Sequence, residues 1–169
     1  MDEKDVFSVL SHGVSVALDR FYEYDADLLD RGVSEMCLVG NFYRYFHSAV
    51  WEALGDSSLR IDLEYDRQGN DRDLKRVSLR RRTVVRPDLV VHRRGGPSGN
   101  LCAIEFKRGD RVRGLAWVDR KLRAYTSRDG HGYRFGCYVE FGARRADCKV
   151  VWYRLHAGGQ RARMDGTPS

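Results

Sequence analysis

The chain has 169 residues, of which 42% are hydrophobic and 32% are charged. That apolar share is enough to fill one core at this length. No run approaches the roughly 18 consecutive apolar residues of a membrane span, so the sequence excludes a membrane-spanning chain. Thirty lysines and arginines against 24 aspartates and glutamates give a net charge of +6, which allows an anionic partner such as nucleic acid.

None of the four cysteines, Cys37, Cys102, Cys137 and Cys148, lies in a C-x-x-C pair, so a zinc site is not predicted. Cys102 and Cys137 lie in apolar runs and are predicted to be core residues. The charged segment 1–5 argues against a secretory signal peptide, because no apolar run follows it. We therefore expect a cytoplasmic protein with reduced thiols.

Two helices are predicted at the start of the chain. Residues 5–30 carry apolar side chains at helical spacing, interrupted by Gly13. A second helix is predicted from Gly32 to about Leu54, where Gly55 can end it. Its apolar stripe is formed by Val39, Phe42, Tyr43, Phe46 and Val50.

Three strands are predicted next. Residues 59–66 alternate between apolar and charged side chains, and this period of two indicates a strand. Residues 67–86 have the pattern of a basic loop. Residues 83–92 and 100–107 are predicted as the second and third strands, joined by a turn that contains the glycine-rich segment 95–99.

The last part of the chain predicts a helix at 115–125 and strands at 133–141 and 149–155. The tail at 157–169 is rich in Gly, Arg and Ser, and we expect it to be disordered. The coarse order is then α-α-β-β-β-α-β-β. It predicts one domain over residues 1–156 of the α/β (α+β) class, with a mixed sheet flanked by helices.

An acid and a base lie side by side on the third predicted strand. Glu105 and Lys107 are two residues apart, so they share one face, while Ile104 and Phe106 point to the opposite face and can enter the core. An otherwise apolar strand carrying such a pair is the most informative feature of the sequence.

Asp88 joins this pair if the hairpin has the right register. A loop over residues 95–100 would pair Val90 with Glu105 and Asp88 with Lys107, which places Asp88 diagonal to Glu105. A slip of one residue would turn Asp88 to the other face, opposite Phe106. We predict the register that brings the three charged side chains together.

Such a cluster suits a divalent cation. Adjacent carboxylates raise each other's pKa unless a cation intervenes, and Lys107 supplies part of that charge. Mg²⁺ or Mn²⁺ is the hard cation that matches carboxylate and carbonyl oxygen ligands. A metal ion of this kind acidifies a bound water and stabilises charge on a phosphate. The sequence therefore predicts a metal-assisted phosphodiester hydrolase.

Pro87-Asp88 followed by Glu105-Phe106-Lys107 resembles the signature of the PD-(D/E)xK superfamily, the restriction-endonuclease-like nucleases. The α-β-β-β-α-β core of that family matches the predicted order of residues 33–141. The resemblance implies a nuclease core over 33–155, preceded by a helical extension over 5–30.

The resemblance also implies roles for individual residues. Asp88 and Glu105 would hold the metal together with the backbone carbonyl of Phe106, and Lys107 would assist the attacking water. Many members carry a further glutamate on the helix before the sheet, and Glu35 is the candidate. The implied activity is that of a Mg²⁺- or Mn²⁺-dependent nuclease acting on DNA.

Simpler interpretations stay open for these acids. Glu35 in a first helical turn also stabilises the helix dipole, and Ser34 before it is a candidate cap. The three strand residues could form only an exposed ion-pair cluster of little energetic value. Asp62, Glu64 and Asp66 could be a solvated strand face, although Asp62 or Glu64 could extend an acidic cleft. His92 shares the parity of Asp88 and is either a surface residue or a neighbour of the site.

Arginines before and after the acids are candidates for phosphate contact, because a guanidinium matches phosphate oxygens. A solubilising loop is the other interpretation. Trp117 and Tyr125 are predicted to be core residues of the last helix. An inactive module with the nuclease fold, binding nucleic acid or a protein, remains the alternative function, and a homodimer or larger complex is compatible with either. The candidate nucleic-acid contacts are Arg80, Arg81, Arg82, Arg86, Arg108 and Arg111.

Overall fold

A computed structural model describes residues 1–68, 73–74, 76–79, 81–95, 99–109, 115–127, 131–154 and 163–164. Only the backbone is described for residue 68, for the strand residues between 73 and 84, and for 163–164. The helices are α1 (Glu3–Tyr24), α2 (Asp27–Asp30), α3 (Glu35–Val50) and α4 (Leu115–Tyr125). The strands are β1 (Arg60–Leu63), β2 (Arg67–Gln68), β3 (Asp73–Leu74), β4 (Arg76–Leu79), β5 (Arg81–Val84), β6 (Leu89–His92), β7 (Asn100–Arg108), β8 (Phe135–Phe141), β9 (Lys149–Arg154) and β10 (Arg163–Met164).

The main sheet has six strands in the order β1-β6-β7-β8-β9-β10. Strands β7 and β8 run parallel, and the other neighbouring pairs are antiparallel. Because parallel neighbours cannot be joined by a tight turn, the chain crosses over between them, and this connection contains α4. The predicted α/β (α+β) class with a mixed sheet flanked by helices is confirmed at this level.

Helices cover both faces of the sheet. Helices α1 and α3 pack on the face that carries Ile104 and Phe106, and the Phe42 ring lies 4.9 Å from the Phe106 ring. Helix α4 packs on the opposite face, against Val90 and Ala103. Since side chains alternate along β7, Glu105 lies on the α4 face, between a core and a helix.

Local sequence explains where the long helices begin and how closely they approach. Ser34 caps α3 by accepting a hydrogen bond from the backbone N–H of Cys37 at 3.2 Å. Gly13 lies on the buried face of α1, where a Cβ would overlap the side chain of Val50 on α3. Gly13 therefore does not interrupt α1 but allows it to pack closely on α3.

Several expectations need correction. Residues 67–86 are not a plain loop, because β2 pairs with β3 and β4 pairs with β5 there. The strand predicted at 83–92 is two elements: β5 ends at Val84 and the sheet strand β6 begins at Leu89. Within the tail predicted to be disordered, β10 pairs with β9, and the other tail residues lie outside the described part of the chain.

The expectations for the cysteines and for membrane spans can be compared directly. Cys102 and Cys137 are fully buried, as predicted, and all four cysteines are free thiols. Over the described ranges, no helix is both long and apolar enough to cross a membrane.

Candidate active site

The pairing of β6 with β7 decides where Asp88 lies. Leu89 is opposite Ile104 and Val90 is opposite Ala103, so continuing the ladder by one residue places Asp88 opposite Glu105. The predicted parity is confirmed, because Asp88 and Glu105 share a face. The exact partner is wrong, since Asp88 was expected opposite Lys107.

The end of the hairpin explains this difference of two residues. The ladder shifts register between Val91 and His92, and β6 ends there instead of continuing to Arg94. Arg94 is instead held by two hydrogen bonds to Asp62, at 3.0 and 2.6 Å. The hairpin loop closes on the pair His92–Asn100 and not on Arg94–Leu101, which moves the register by three residues, and the one-residue shift between Val91 and His92 returns one of them. The net difference of two residues is even, so Asp88 stays on the predicted face.

Asp88 lies just before β6, beside the part of β7 that follows the last β6–β7 pair, Leu89 and Ile104. The backbone N–H of Phe106 donates to Oδ2 of Asp88 at 2.8 Å. Because the N–H and C=O of one extended residue point to the same side, the carbonyl of Phe106 also faces Asp88. Burial raises the pKa of the Asp88 carboxyl, and the hydrogen bond from Phe106 opposes this shift.

Glu105 is the most buried acid of the cluster, with 1% of its surface exposed. Nζ of Lys121 lies 2.5 Å from Oε2, and the hydroxyl of Tyr125 donates to Oε1 at 3.1 Å. Burial, reinforced by the charge of Asp88, raises the pKa of Glu105 to about 7, although Lys121 and Tyr125 favour the ionised form. An exposed ion-pair cluster is therefore the wrong interpretation for Glu105.

Lys107 points along the same face but has a different partner. Its Nζ lies 2.5 Å from Oε1 of Glu35, and the two side chains are 26% and 28% exposed. Glu35 therefore reaches the acid cluster from the first turn of α3, while Ser34 provides the helix cap. Each of the two lysines near the site neutralises one carboxylate.

Lys121 and Tyr125 on α4 were not among the sequence candidates. Both belong to the stripe of α4 that packs on the sheet, together with Val118 and Leu122. A lysine within an apolar stripe is the signal that could have identified Lys121. Tyr125 is buried, as predicted, but its hydroxyl contacts the site. The prediction that Trp117 is a core residue is wrong, because its side chain is 38% exposed.

The acids of β1 and its following loop form a separate group. Oδ2 of Asp62 lies 2.8 Å from Nε2 of His92, which is 2% exposed, so His92 is not a surface residue. Burial opposes ionisation of Asp62, but hydrogen bonds from Arg94 and His92 prevail and lower its pKa overall. Arg86 forms ion pairs with Glu64 and Asp66 at 3.7 and 3.6 Å.

The arginines predicted to contact nucleic acid are only partly described. Arg108 donates a hydrogen bond to the backbone carbonyl of Leu29 at 2.7 Å, on the α2 side of the sheet. Arg86 is half exposed and forms the ion pairs with Glu64 and Asp66 described above. The side chains of Arg80, Arg81, Arg82 and Arg111 lie outside the described residues.

The donor set of this cluster fits a hard divalent cation. Asp88 and Glu105 offer neighbouring carboxylates, and the Phe106 carbonyl is on the same side. Among the residues that the structure describes, no group of three or more His, Cys, Asp or Glu side chains could hold a metal ion. Mg²⁺ is commonly held by one or two carboxylates and completes its shell with water and phosphate oxygens, so a pair is sufficient.

Comparison with known proteins does not identify a family for this chain. No family model matches it. A search of curated proteins finds no relative. The resemblance of residues 87–107 to the PD-(D/E)xK signature therefore stays a prediction.

Proposed function

We propose that the chain is a metal-dependent phosphodiester hydrolase of the restriction-endonuclease type, a nuclease whose substrate is DNA. The observation that carries this proposal is the arrangement of Asp88, Glu105 and Lys107 on one face of β6–β7, with Glu35 reaching Lys107 from α3. The positive net charge of the chain supports an anionic polymer as substrate.

In this proposal, Asp88, Glu105 and the carbonyl of Phe106 would hold Mg²⁺ or Mn²⁺. The metal would supply an acidified water and would stabilise negative charge on the phosphate. Lys121 and Tyr125 are positioning residues, because they hold the Glu105 carboxylate in a fixed orientation and favour its ionised form. Their contacts favour the charged form of a proposed metal ligand and oppose the effect of burial.

Lys107 is the residue proposed to act on the reacting groups. In the absence of substrate its ammonium group is held by Glu35, and both side chains are partly exposed. A phosphate at the site offers Lys107 a second anionic partner. Lys107 then either orients the attacking water or stabilises charge on the phosphate, while Glu35 keeps it close to the carboxylate pair.

One observation favours a second candidate function. Both oxygens of Glu105 already accept protein hydrogen bonds, from Lys121 and Tyr125. A carboxylate satisfied in this way can serve a purely structural role. The chain would then be an inactive module of the same fold, which binds nucleic acid or a protein without cutting.

The test is cleavage by the purified chain of plasmid, linear, branched and single-stranded DNA and of RNA, with Mg²⁺ or Mn²⁺. Asp88→Asn and Lys107→Met keep the size of each side chain and remove its charge. We expect Lys107→Met to lower kcat by roughly 100-fold or more, the cost of losing one electrostatic stabiliser. Asp19→Asn is the matched control, because Asp19 is an exposed acid on α1 that pairs with Arg145.

Cleavage that requires metal and is lost in Asp88→Asn but kept in Asp19→Asn supports the proposal. Wild-type protein that binds nucleic acid but cuts no substrate with either metal would establish the inactive module instead. Equal cleavage by wild type and Asp88→Asn would contradict the proposed site, because Asp88 would not be needed for the reaction.

A further inference from the structure

Trp117 is a large aromatic side chain at the surface of α4, the helix whose Lys121 and Tyr125 contact Glu105. It lies in the first turn of α4 and is 38% exposed. Of the three tryptophans in the sequence, Trp152 is buried in the core and Trp51 ends α3 at a distance from the site. Core packing therefore does not explain why a tryptophan is present at position 117.

The helix aligns Trp117 with the groups that contact Glu105. Trp117, Lys121 and Tyr125 are spaced four residues apart, so they form one row of neighbours along α4. Lys121 and Tyr125 both hydrogen-bond to Glu105. Trp117 therefore lies about 6 Å further along the helix axis than Lys121, on the row that leads to the carboxylate pair.

The other flank of α4 faces away from the acid cluster. Asp119 accepts a hydrogen bond from the hydroxyl of Tyr153 on β9 at 3.0 Å, and Arg123 lies over the Tyr153 ring. These contacts fix the rotation of the helix. The row formed by Trp117, Lys121 and Tyr125 is therefore on the side of α4 that faces β7 and β6, where the phosphodiester would lie.

Positive charge accompanies the exposed ring. The Arg120 guanidinium lies 5.6 Å from the centre of the Trp117 ring. The backbone of β4, which begins at Arg76, runs beside α4. An aromatic face next to cationic groups is the combination that binds unpaired nucleotides, because the base stacks while the phosphates meet positive charge.

We propose that Trp117 and Arg120 form a stacking platform for an unpaired base of single-stranded nucleic acid that leads into the Asp88–Glu105 site. This rests on the proposed function, since it names the form of nucleic acid that the same site receives. A base-paired duplex keeps its bases stacked on one another and offers no free face to Trp117. The platform therefore favours single strands, or the unpaired ends and junctions of duplexes.

The test measures binding without cleavage. Fluorescence anisotropy in EDTA gives the Kd of a labelled short oligothymidine, of an RNA strand of equal length and of a matched blunt duplex. We expect Trp117→Ala to weaken single-strand binding by about tenfold, within the range for loss of one stacked base, and to change duplex binding by less than about twofold. Trp117→Phe keeps a ring and should lose less than about threefold.

Trp51→Ala is the matched control. Trp51 also has an arginine over its ring, Arg60 at 5.9 Å, and lies at the C-terminal end of α3. That end is about 24 Å along the helix from Glu35, so the same chemistry is present far from the site. Its removal should leave the affinity for single strands unchanged within about twofold.

The possible outcomes separate this inference from the proposed function. Equal single-strand affinity in wild type and Trp117→Ala, or an equal loss in Trp51→Ala, overturns the platform even if the protein cuts DNA. Selective loss in Trp117→Ala, rescued by Trp117→Phe, supports it even if no cleavage is seen. A wild type that binds neither strand form contradicts both proposals. If Trp117→Ala does not fold, single-strand affinity is compared between Trp117→Phe and Trp117→Leu. The platform predicts tighter binding by Trp117→Phe, and equal binding overturns it.

Discussion

The buried Glu105 carboxyl should make the stability of the fold depend on pH. Its pKa is raised from 4.5 to about 7 in the folded state, chiefly by burial. A group that holds its proton more tightly when folded stabilises the fold at low pH and loses that contribution as pH rises from about 4.5 to about 7. The shift of about 2.5 pKa units corresponds to on the order of 3 kcal/mol.

Glu105→Gln removes this ionisation and keeps the shape and one acceptor for Lys121. The free energy of unfolding of the variant minus that of the wild type should therefore increase by roughly 3 kcal/mol between about pH 4 and about pH 8. Urea denaturation at several pH values measures this difference directly. Taking the difference cancels the contribution of acids that do not interact with Glu105 and titrate alike in both proteins.

Glu23→Gln is the control, because Glu23 is 54% exposed and pairs with Arg20 in the same helix. Its difference from wild type should change by less than about 0.5 kcal/mol over the same range, as is usual for surface substitutions. A difference for Glu105→Gln that is equally flat would refute the reasoning, because it would mean that Glu105 ionises as a solvated acid does.

Three further substitutions test the contacts around the site. Tyr125→Phe removes a hydrogen-bond donor to the ionised Glu105 and should raise the pKa of Glu105 further. The pH-dependent loss of stability should then extend to higher pH, and a shift to lower pH would contradict this contact. Gly13→Ala should destabilise the chain by about 1–3 kcal/mol in urea denaturation, because a Cβ there overlaps Val50. Helix propensity alone predicts a gain in stability, and such a gain would disprove the close crossing of α1 and α3. Ser34→Ala should cost about 1 kcal/mol in thermal unfolding with Ser34→Asp near neutral, and an equal loss in both would exclude a capping role.

Periodicity was enough to predict most of the elements of this fold. Apolar spacing predicted α1, α3, α4 and the main-sheet strands other than β10, and the hypothesised register of the hairpin placed Asp88 on the face of Glu105. These features depend on neighbours along the chain. The exact partner of Asp88 could not be predicted, because it depends on where the hairpin loop closes and on the register shift between Val91 and His92, neither of which alternation encodes.

The contacts supplied by α4 were also beyond the sequence patterns that were used. A lysine is ordinarily a surface residue. The crossover that contains α4 lies between two parallel strands and brings the Lys121 ammonium group into contact with Glu105. Trp117 is apolar and helical, which suggested the core, yet the helix rotation fixed by Tyr153 leaves it at the surface. Both outcomes depend on tertiary packing and not on local preference.

The central claim is that Asp88 and Glu105 together hold a divalent cation. A crystal soaked in Mn²⁺ tests it most directly, because the anomalous signal of manganese marks the ion without reference to any activity. We predict a peak in contact with both carboxylates that is lost in Asp88→Asn. A soaked crystal in which Glu105 stays bonded to Lys121 and Tyr125, with no peak beside it, would contradict the account.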